Sequence, residues 1–260
     1  MNNNQLYCDM KHLHYLFICL LLSACCYGTT KSGSRNTTDS VPEITPSEAT
    51  IDTFTYNLPC RVIRINPQKE GKALLFLWLH GGVHDFKSHS YNKETNHWNN
   101  CAADDSIIHY LQSKNIKAIA LLPMCHKADK NSCVAWSDCY DDVHQMIEEY
   151  VVNGLVDPER IYVAGASDGG RGTWDYVAEH PELFAAAISL SCSEPRVTRV
   201  PIYFFNTASE TDCTQLVNKL KQQGSNILRY QYCPQFKHGG DAAMCDKELL
   251  DEFFSHKRTQ

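Results

Sequence analysis

The sequence predicts an α/β fold built on a mostly parallel central sheet, and two observations carry the prediction. Short, near-continuous apolar runs recur along the chain, of the kind that strands covered on both faces require. Segments with helical spacing lie between them, so strand and helix alternate.

Ile51–Tyr56 and Arg61–Ile65 alternate apolar and polar residues like a half-exposed antiparallel pair. Ala73–Leu79 (ALLFLWL) is the strongest apolar run and reads as a buried strand. Helical spacing over Asp104–Ser113 precedes a second apolar run, Ile116–Leu122. A helix over Asp138–Val152 then stops at Gly154, and Ile161–Ala164 reads as the next strand. A helix over Asp168–His180 is followed by strands at Ala186–Leu190 and Ile202–Phe205. The last units are a helix over Thr214–Gln223 ending at Gly224, a strand over Leu228–Cys233 and a helix over Met244–Ser255. The chain contains no internal repeat and no second domain boundary.

Composition narrows the class further. With 260 residues, 43% hydrophobic and 21% charged, the chain has the balance of a folded globular protein, which excludes disordered, collagen-like and coiled-coil readings. Lys and Arg number 24 against 30 Asp and Glu, a net charge of −6 without long single-sign runs, so no electrostatic footprint for nucleic acid exists. Thirteen cysteines exceed the usage of a reduced cytoplasmic enzyme.

The N-terminus bears on compartment. Lys11, His12 and His14 accompany the apolar run Leu13–Leu22, too short to span a bilayer and suited to a secretory signal. The run ends in Leu22-Ser23-Ala24-Cys25, which resembles a bacterial lipoprotein box. The resemblance implies removal of residues 1–24, lipidation of Cys25, and an extracytoplasmic, membrane-anchored or secreted protein. Residues 28–48 are rich in Ser, Thr, Gly and Pro and read, with Cys25–Tyr27, as a flexible tether, leaving 49–258 as the folded domain. Cys101, Cys125, Cys133, Cys139, Cys192, Cys213, Cys233 and Cys245 fall at loops and element ends, and most are expected in disulfides whose pairing the sequence does not reveal; Cys60 is left over.

The most informative stretch is Asp157–Cys192. There the strand Ile161–Ala164 runs into Gly165-Ala166-Ser167-Asp168-Gly169 and then a helix, the strand–turn–helix setting of a nucleophile elbow. A strained turn is needed to expose the Ser167 hydroxyl, and glycines two residues to either side let strand and helix approach without Cβ clashes.

This stretch resembles the α/β-hydrolase superfamily, and within it secreted esterases grouped with polyhydroxybutyrate depolymerase, feruloyl esterase and phospholipase/carboxylesterase-like enzymes. The matching residues are Asp157-Pro158-Glu159-Arg160-Ile161-Tyr162, the GASDGG elbow, Trp174, and His180-Pro181-Glu182-Leu183-Phe184-Ala185-Ala186. The resemblance runs from about Ala73 to Phe254 and implies a single-domain α/β-hydrolase fold and a Ser–acid–His triad needing no cofactor. It implies His238, in Gln235–Gly240 after the last strand, as the base. It implies Glu210 as the acid, counted from the strand beginning at Pro201, with Asp212 as the alternative. The loop Leu79-His80-Gly81-Gly82 implies oxyanion donors at the N–H groups of Gly82 and Asp168, with His80 bracing the loop. Asp168 departs from the family, which usually carries a neutral residue there; its charge would stand beside the forming oxyanion and either slow catalysis or select a positive or hydroxyl-rich substrate.

Trp136 and Trp174, with Tyr91, Trp98 and Tyr140, are candidates for an aromatic wall around a sugar or phenolic acyl group. The His-rich stretch 80–97 matches no zinc spacing, so no metal is expected. The function expected is a serine esterase acting on carboxylic esters, acylated glycans among them. A serine peptidase of the same fold, and a catalytically silent hydrolase-like surface lipoprotein, are the alternatives.

Overall fold

The computed structural model describes residues 49–52, 58, 60–82, 102–125, 135–238 and 243–258, all within one unit, Pro46–Gln260. The signal, Cys25, the tether, Tyr91, Trp98, Cys101 and Cys133 lie outside the described residues.

In chain order the strands are β1 (Ala49–Asp52), β2 (Cys60–Ile65), β3 (Ala73–Leu79), β4 (Ala118–Pro123), β5 (Val156–Ala166), β6 (Ala186–Leu190), β7 (Ile202–Thr207) and β8 (Ile227–Cys233). The helices are α1 (Ala102–Ser113), α2 (Tyr140–Val152), α3 (Asp168–Glu179), α4 (Thr214–Gln222) and α5 (Lys247–Phe253), with a 3-10 turn at Trp136–Cys139 leading into α2. The strands form one sheet in the order β1-β2-β4-β3-β5-β6-β7-β8. β2 is antiparallel to both β1 and β4, and the ladders from β4 through β8 are parallel.

Strand alternation sorts the core into two layers. Leu75, Leu77 and Leu79 of β3 face Met146 and Ile147 of α2 and Trp174 and Val177 of α3. Leu74, Phe76 and Trp78 of the same strand face Ile107 and Leu111 of α1 and Leu249, Leu250 and Phe253 of α5. That two-sided burial is what the near-continuous apolar runs encode. Gly154 and Gly224 follow α2 and α4 with φ of +71° and +88°, the left-handed values that let a helix end there.

Most element ends shift by one to three residues from the sequence expectation, the first strand by more, to Ala49–Asp52 in place of Ile51–Tyr56, and two shifts have a clear physical reason. The strand expected at Ile161–Ala164 extends to Val156–Ala166, because Val156 pairs with Ala73 across a register shift before the regular ladder begins. The helix expected from Met244 begins at Lys247, since the Asp246 side chain accepts from the Leu249 N–H at 2.9 Å and caps it. Among the described residues, no helix is long and apolar enough to cross a membrane.

Candidate active site

The loops following β3, β5, β7 and β8 all leave the same, C-terminal edge of the parallel strands, and they carry the candidate residues. Ser167 stands between β5 and α3 with φ +58° and ψ −121°. A positive φ on a serine is uncommon and costs on the order of 1–3 kcal/mol, so the surroundings must hold it. They do so at both ends: the Ser167 N–H donates to Leu190 O at 2.9 Å, prolonging the β5–β6 ladder, and its carbonyl accepts from the Arg171 N–H at 3.0 Å in the first turn of α3.

The glycines are fixed by close packing. A Cβ on Gly165 would lie 2.3 Å from Gly169 O, and one on Gly169 would lie 1.9 Å from Leu79 O. The head of α3 therefore rests directly on the end of β3, which brings the following loop to the serine. A Cβ on Gly81 would stand 3.1 Å from Ser167 Cβ, and one on Gly82 3.0 Å from Asp168 Oδ2.

His80 braces that loop. Its Nε2 accepts from the Cys125 N–H at 3.0 Å, which leaves the proton on Nδ1 to donate to Gly81 O at 2.7 Å. Its own carbonyl accepts from the Trp136 indole at 3.0 Å, and the two rings meet edge to face at 4.9 Å.

The acid and the histidine meet across the next two loops. His238 Nδ1 and Glu210 Oε1 are 2.8 Å apart, with the carboxylate side chain 8% exposed and the imidazole 50% exposed. Glu210 Oε2 accepts from both the Thr207 N–H, at 2.8 Å, and the Thr207 hydroxyl, at 2.6 Å. Burial pushes the Glu210 carboxyl up, but the Thr207 hydrogen bonds and His238 outweigh it and hold it below its ordinary value. Asp212 is engaged elsewhere. It accepts from the N–H and hydroxyl of Thr214 at 2.9 and 2.7 Å and from the Tyr230 hydroxyl at 3.1 Å, and the Thr214 bonds lower its pKa. It secures the start of α4, leaving Glu210 as the carboxylate at His238.

The architecture has close counterparts. Among solved structures, the chain superposes on a thermostable esterase with a TM-score of 0.62 at 22% identity, over 83% of this chain and 64% of that one. It matches an acylaminoacyl peptidase of Pyrococcus horikoshii with a TM-score of 0.55 at 14% identity, over 83% and 43% of the two chains. A fluorophosphonate-binding serine hydrolase of Staphylococcus aureus gives 0.55 at 13%, over 81% and 99%. The fold is that of the α/β-hydrolases. The chain spans less than two thirds of the length of the first two structures. The prolyl oligopeptidase family model matches residues 136–193, from the 3-10 turn through the serine to the exit of β6. A search of curated proteins finds no significant match.

On this α/β-hydrolase frame two aromatic expectations need correction. Trp174 is 0% exposed and packs edge to face on Phe204 at 5.5 Å, so it is core and offers no wall to a substrate. It lies on the face of α3 that the sheet covers. Tyr140 is likewise buried, donating to Gly172 O and stacking on Tyr176. Trp136 is 2% exposed; its indole holds His80, and its remaining edge lines a polar hollow of about 250 Å³ with Asp168, Arg171, Asp175, Glu194 and Arg196. Within that hollow Asp168 faces Arg171 at 3.6 Å. A larger hollow of about 540 Å³ is lined by α1 and α5 with Cys245, and by no residue from the ends of β5, β7 or β8. Among the described residues no group of three or more His, Cys, Asp or Glu could hold a metal ion.

Thr207 and Asn206 were not anticipated as site residues. Asn206 Oδ1 accepts from the Cys192 N–H at 3.0 Å and its Nδ2 donates to Thr211 O at 3.1 Å, tying the exit of β6 to the acid loop. A sequence signal for Thr207 existed: Thr207-Ala208-Ser209-Glu210 has the S/T-x-x-E spacing whose backbone-to-carboxylate bond ordinarily opens a helix.

Proposed function

We propose that this protein is a serine hydrolase cleaving carboxylic esters, with Ser167 as nucleophile, His238 as general base and Glu210 as the acid that orients it. The observation that carries the reading is the His238–Glu210 hydrogen bond on the loops that follow β8 and β7, at the sheet edge where Ser167 is held in a strained turn. With Nδ1 engaged by Glu210, His238 Nε2 is the nitrogen left to take the hydroxyl proton as Ser167 Oγ attacks the carbonyl carbon. The same proton then passes to the leaving alkoxide, and a water deprotonated by His238 releases the acid from the acyl-enzyme. The N–H groups of Gly82 and Asp168 would receive the oxyanion, each donor contributing about 3 kcal/mol. What supports the pairing is the closeness of the glycine loop to the serine turn, where a Cβ on Gly81 would stand 3.1 Å from Ser167 Cβ and one on Gly82 3.0 Å from the Asp168 carboxylate.

The Asp168 carboxylate opposes that stabilisation, but the Arg171 guanidinium 3.6 Å away offsets part of its charge. The hollow beside it carries both signs of charge, which suits a hydroxyl-rich or zwitterionic group better than a purely apolar one. Acylated glycans or short-chain and phenolic esters fit that description. The N-terminal reading adds a location: an extracytoplasmic enzyme tethered by lipid at Cys25.

Ser167→Ala should lower hydrolysis of p-nitrophenyl acetate by at least about 10³-fold without loss of folding. Undiminished turnover in that variant rejects the assignment. A second reading, a peptidase, is favoured by the prolyl oligopeptidase match over residues 136–193. Labelling with a fluorophosphonate followed by turnover of ester and peptide panels separates the two, and a folded, unlabelled protein points to a silent binding module.

A further inference from the structure

The two segments that hold the loop beside Ser167 each carry a buried cysteine. Cys125 follows β4 and Cys139 closes the 3-10 turn that opens α2; they are 14 residues apart in sequence, both 0% exposed, and their Sγ atoms lie 2.8 Å apart. That is closer than two sulfurs rest without a covalent link. The contact is built into the shelf under the oxyanion loop. The Cys125 N–H is the donor to His80 Nε2, and Trp136, three residues before Cys139, is the donor to His80 O. The two nitrogens that fix His80 thus lie beside the two sulfurs, one on Cys125 itself and the other on the 3-10 turn that ends in Cys139. His80 in turn holds the Gly81 carbonyl, and a Cβ on Gly81 would touch Ser167.

We propose that Cys125 and Cys139 form a disulfide that clamps the His80-Gly81-Gly82 loop against Ser167, so that the hydrolytic site is completed by oxidation. Two S–H bonds break and one S–S bond forms; the two electrons and two protons pass to a disulfide oxidant, oxidised glutathione or a thiol–disulfide oxidoreductase, which becomes two thiols. The bond closes a short loop and restricts the unfolded chain, which adds stability as well as position. Neither cysteine touches the reacting atoms, so both are positioning residues. The bond itself is independent of the esterase reading; its effect on turnover rests on that reading.

The test uses the full chain purified after treatment with oxidised glutathione. Alkylation in denaturant without reduction, proteolysis and mass spectrometry should find the Cys125 peptide joined to the Cys139 peptide and lighter by two hydrogens. The fragmentation must separate Cys133 from Cys139. Alkylation of both cysteines, or a link from Cys125 to Cys133, overturns the proposal. Dithiothreitol should lower the melting temperature of the wild type by roughly 5–10 °C, and the double variant Cys125→Ala, Cys139→Ala should lack that part of the shift. An equal shift in both proteins overturns it too. Reduction should also lower kcat for p-nitrophenyl acetate about tenfold while KM changes less than twofold, as expected when oxyanion donors drift and substrate binding does not. A wild type that shows the cross-link and the melting shift but no hydrolysis defeats the esterase reading and leaves the disulfide standing.

Discussion

At the scale of single residues, two carboxylates two positions apart are separated by what their neighbours donate to them. Thr207 spends its N–H and hydroxyl on one oxygen of Glu210 and leaves the other for His238. Asp212 is taken up by Thr214 and Tyr230. Glu210→Gln should therefore lower kcat/KM by about 10²–10⁴-fold, through loss of the charge that steadies the imidazolium. Asp212→Asn should stay within a few fold. The reverse ranking in ester hydrolysis would make Asp212 the acid. The lowered pKa of Glu210 has a consequence for stability whose sign is fixed. A carboxylate whose folded value lies below its unfolded value stabilises the protein at pH above the ordinary value of 4.5, and that contribution is lost as pH falls through the folded value. The stability gap between wild type and Glu210→Gln in urea melts should be full at pH 6–7 and shrink below about pH 4.5. A gap that widens on acidification contradicts the assignment.

At the scale of elements, the head of α3 and the end of β3 are in backbone contact, and that contact sets both the turn at Ser167 and the position of the glycine loop. Gly169→Ala would drive a methyl group to 1.9 Å from Leu79 O, in backbone that cannot swing aside as a side chain would. A loss of about 3 kcal/mol or more is expected, read as a lower denaturation midpoint or an insoluble product. A wild-type midpoint would show that α3 does not rest on β3 as described. The same contact explains which parts were legible in sequence. Ala73–Leu79 and Ala186–Leu190 were read with the bounds they have, because burial on both faces leaves an uninterrupted apolar run. The tight turn at Ser167 was legible because its glycines answer to local sterics. The front of β5 was not, since Asp157–Arg160 is half-exposed and largely polar and only the buried Val156 ahead of it pairs with Ala73. The acid stayed open between two residues for a related reason: the choice depends on hydrogen bonds from Thr207, Thr214 and Tyr230, and Tyr230 arrives from another strand. Trp174 was misassigned because a helix sequence alone does not say which of its faces the sheet will cover.

At the scale of the molecule, the sheet separates the chemistry from much of the stabilising core. α2 and α3 cover the face whose core includes Cys125, Trp136 and Cys139, whereas α1 and α5 cover the other. On that second face Phe253 is fully buried, with its ring 5.2 Å from Tyr162, 6.2 Å from Tyr203 and 4.8 Å from Phe254. The C-terminal segment is also anchored there by polar contacts: Tyr162 donates to Phe254 O and His256 O, and Tyr203 meets His256 Nε2 at 2.8 Å. Removing the Phe253 ring leaves a cavity among Tyr162, Tyr203 and Phe254, none of which is a proposed catalytic residue. Phe253→Ala should cost about 3–5 kcal/mol and lower the melting temperature by roughly 6–20 °C. Because the loops that carry Ser167, Glu210 and His238 leave the C-terminal edge of the parallel strands, turnover per folded molecule at 25 °C should stay within about twofold of wild type. Active-site titration with a fluorophosphonate, beside a thermal melt, gives both quantities on one sample. A large fall in turnover per labelled site, with the melt unchanged, would mean that α5 supports the His238 loop directly instead of stabilising the sheet from its far side.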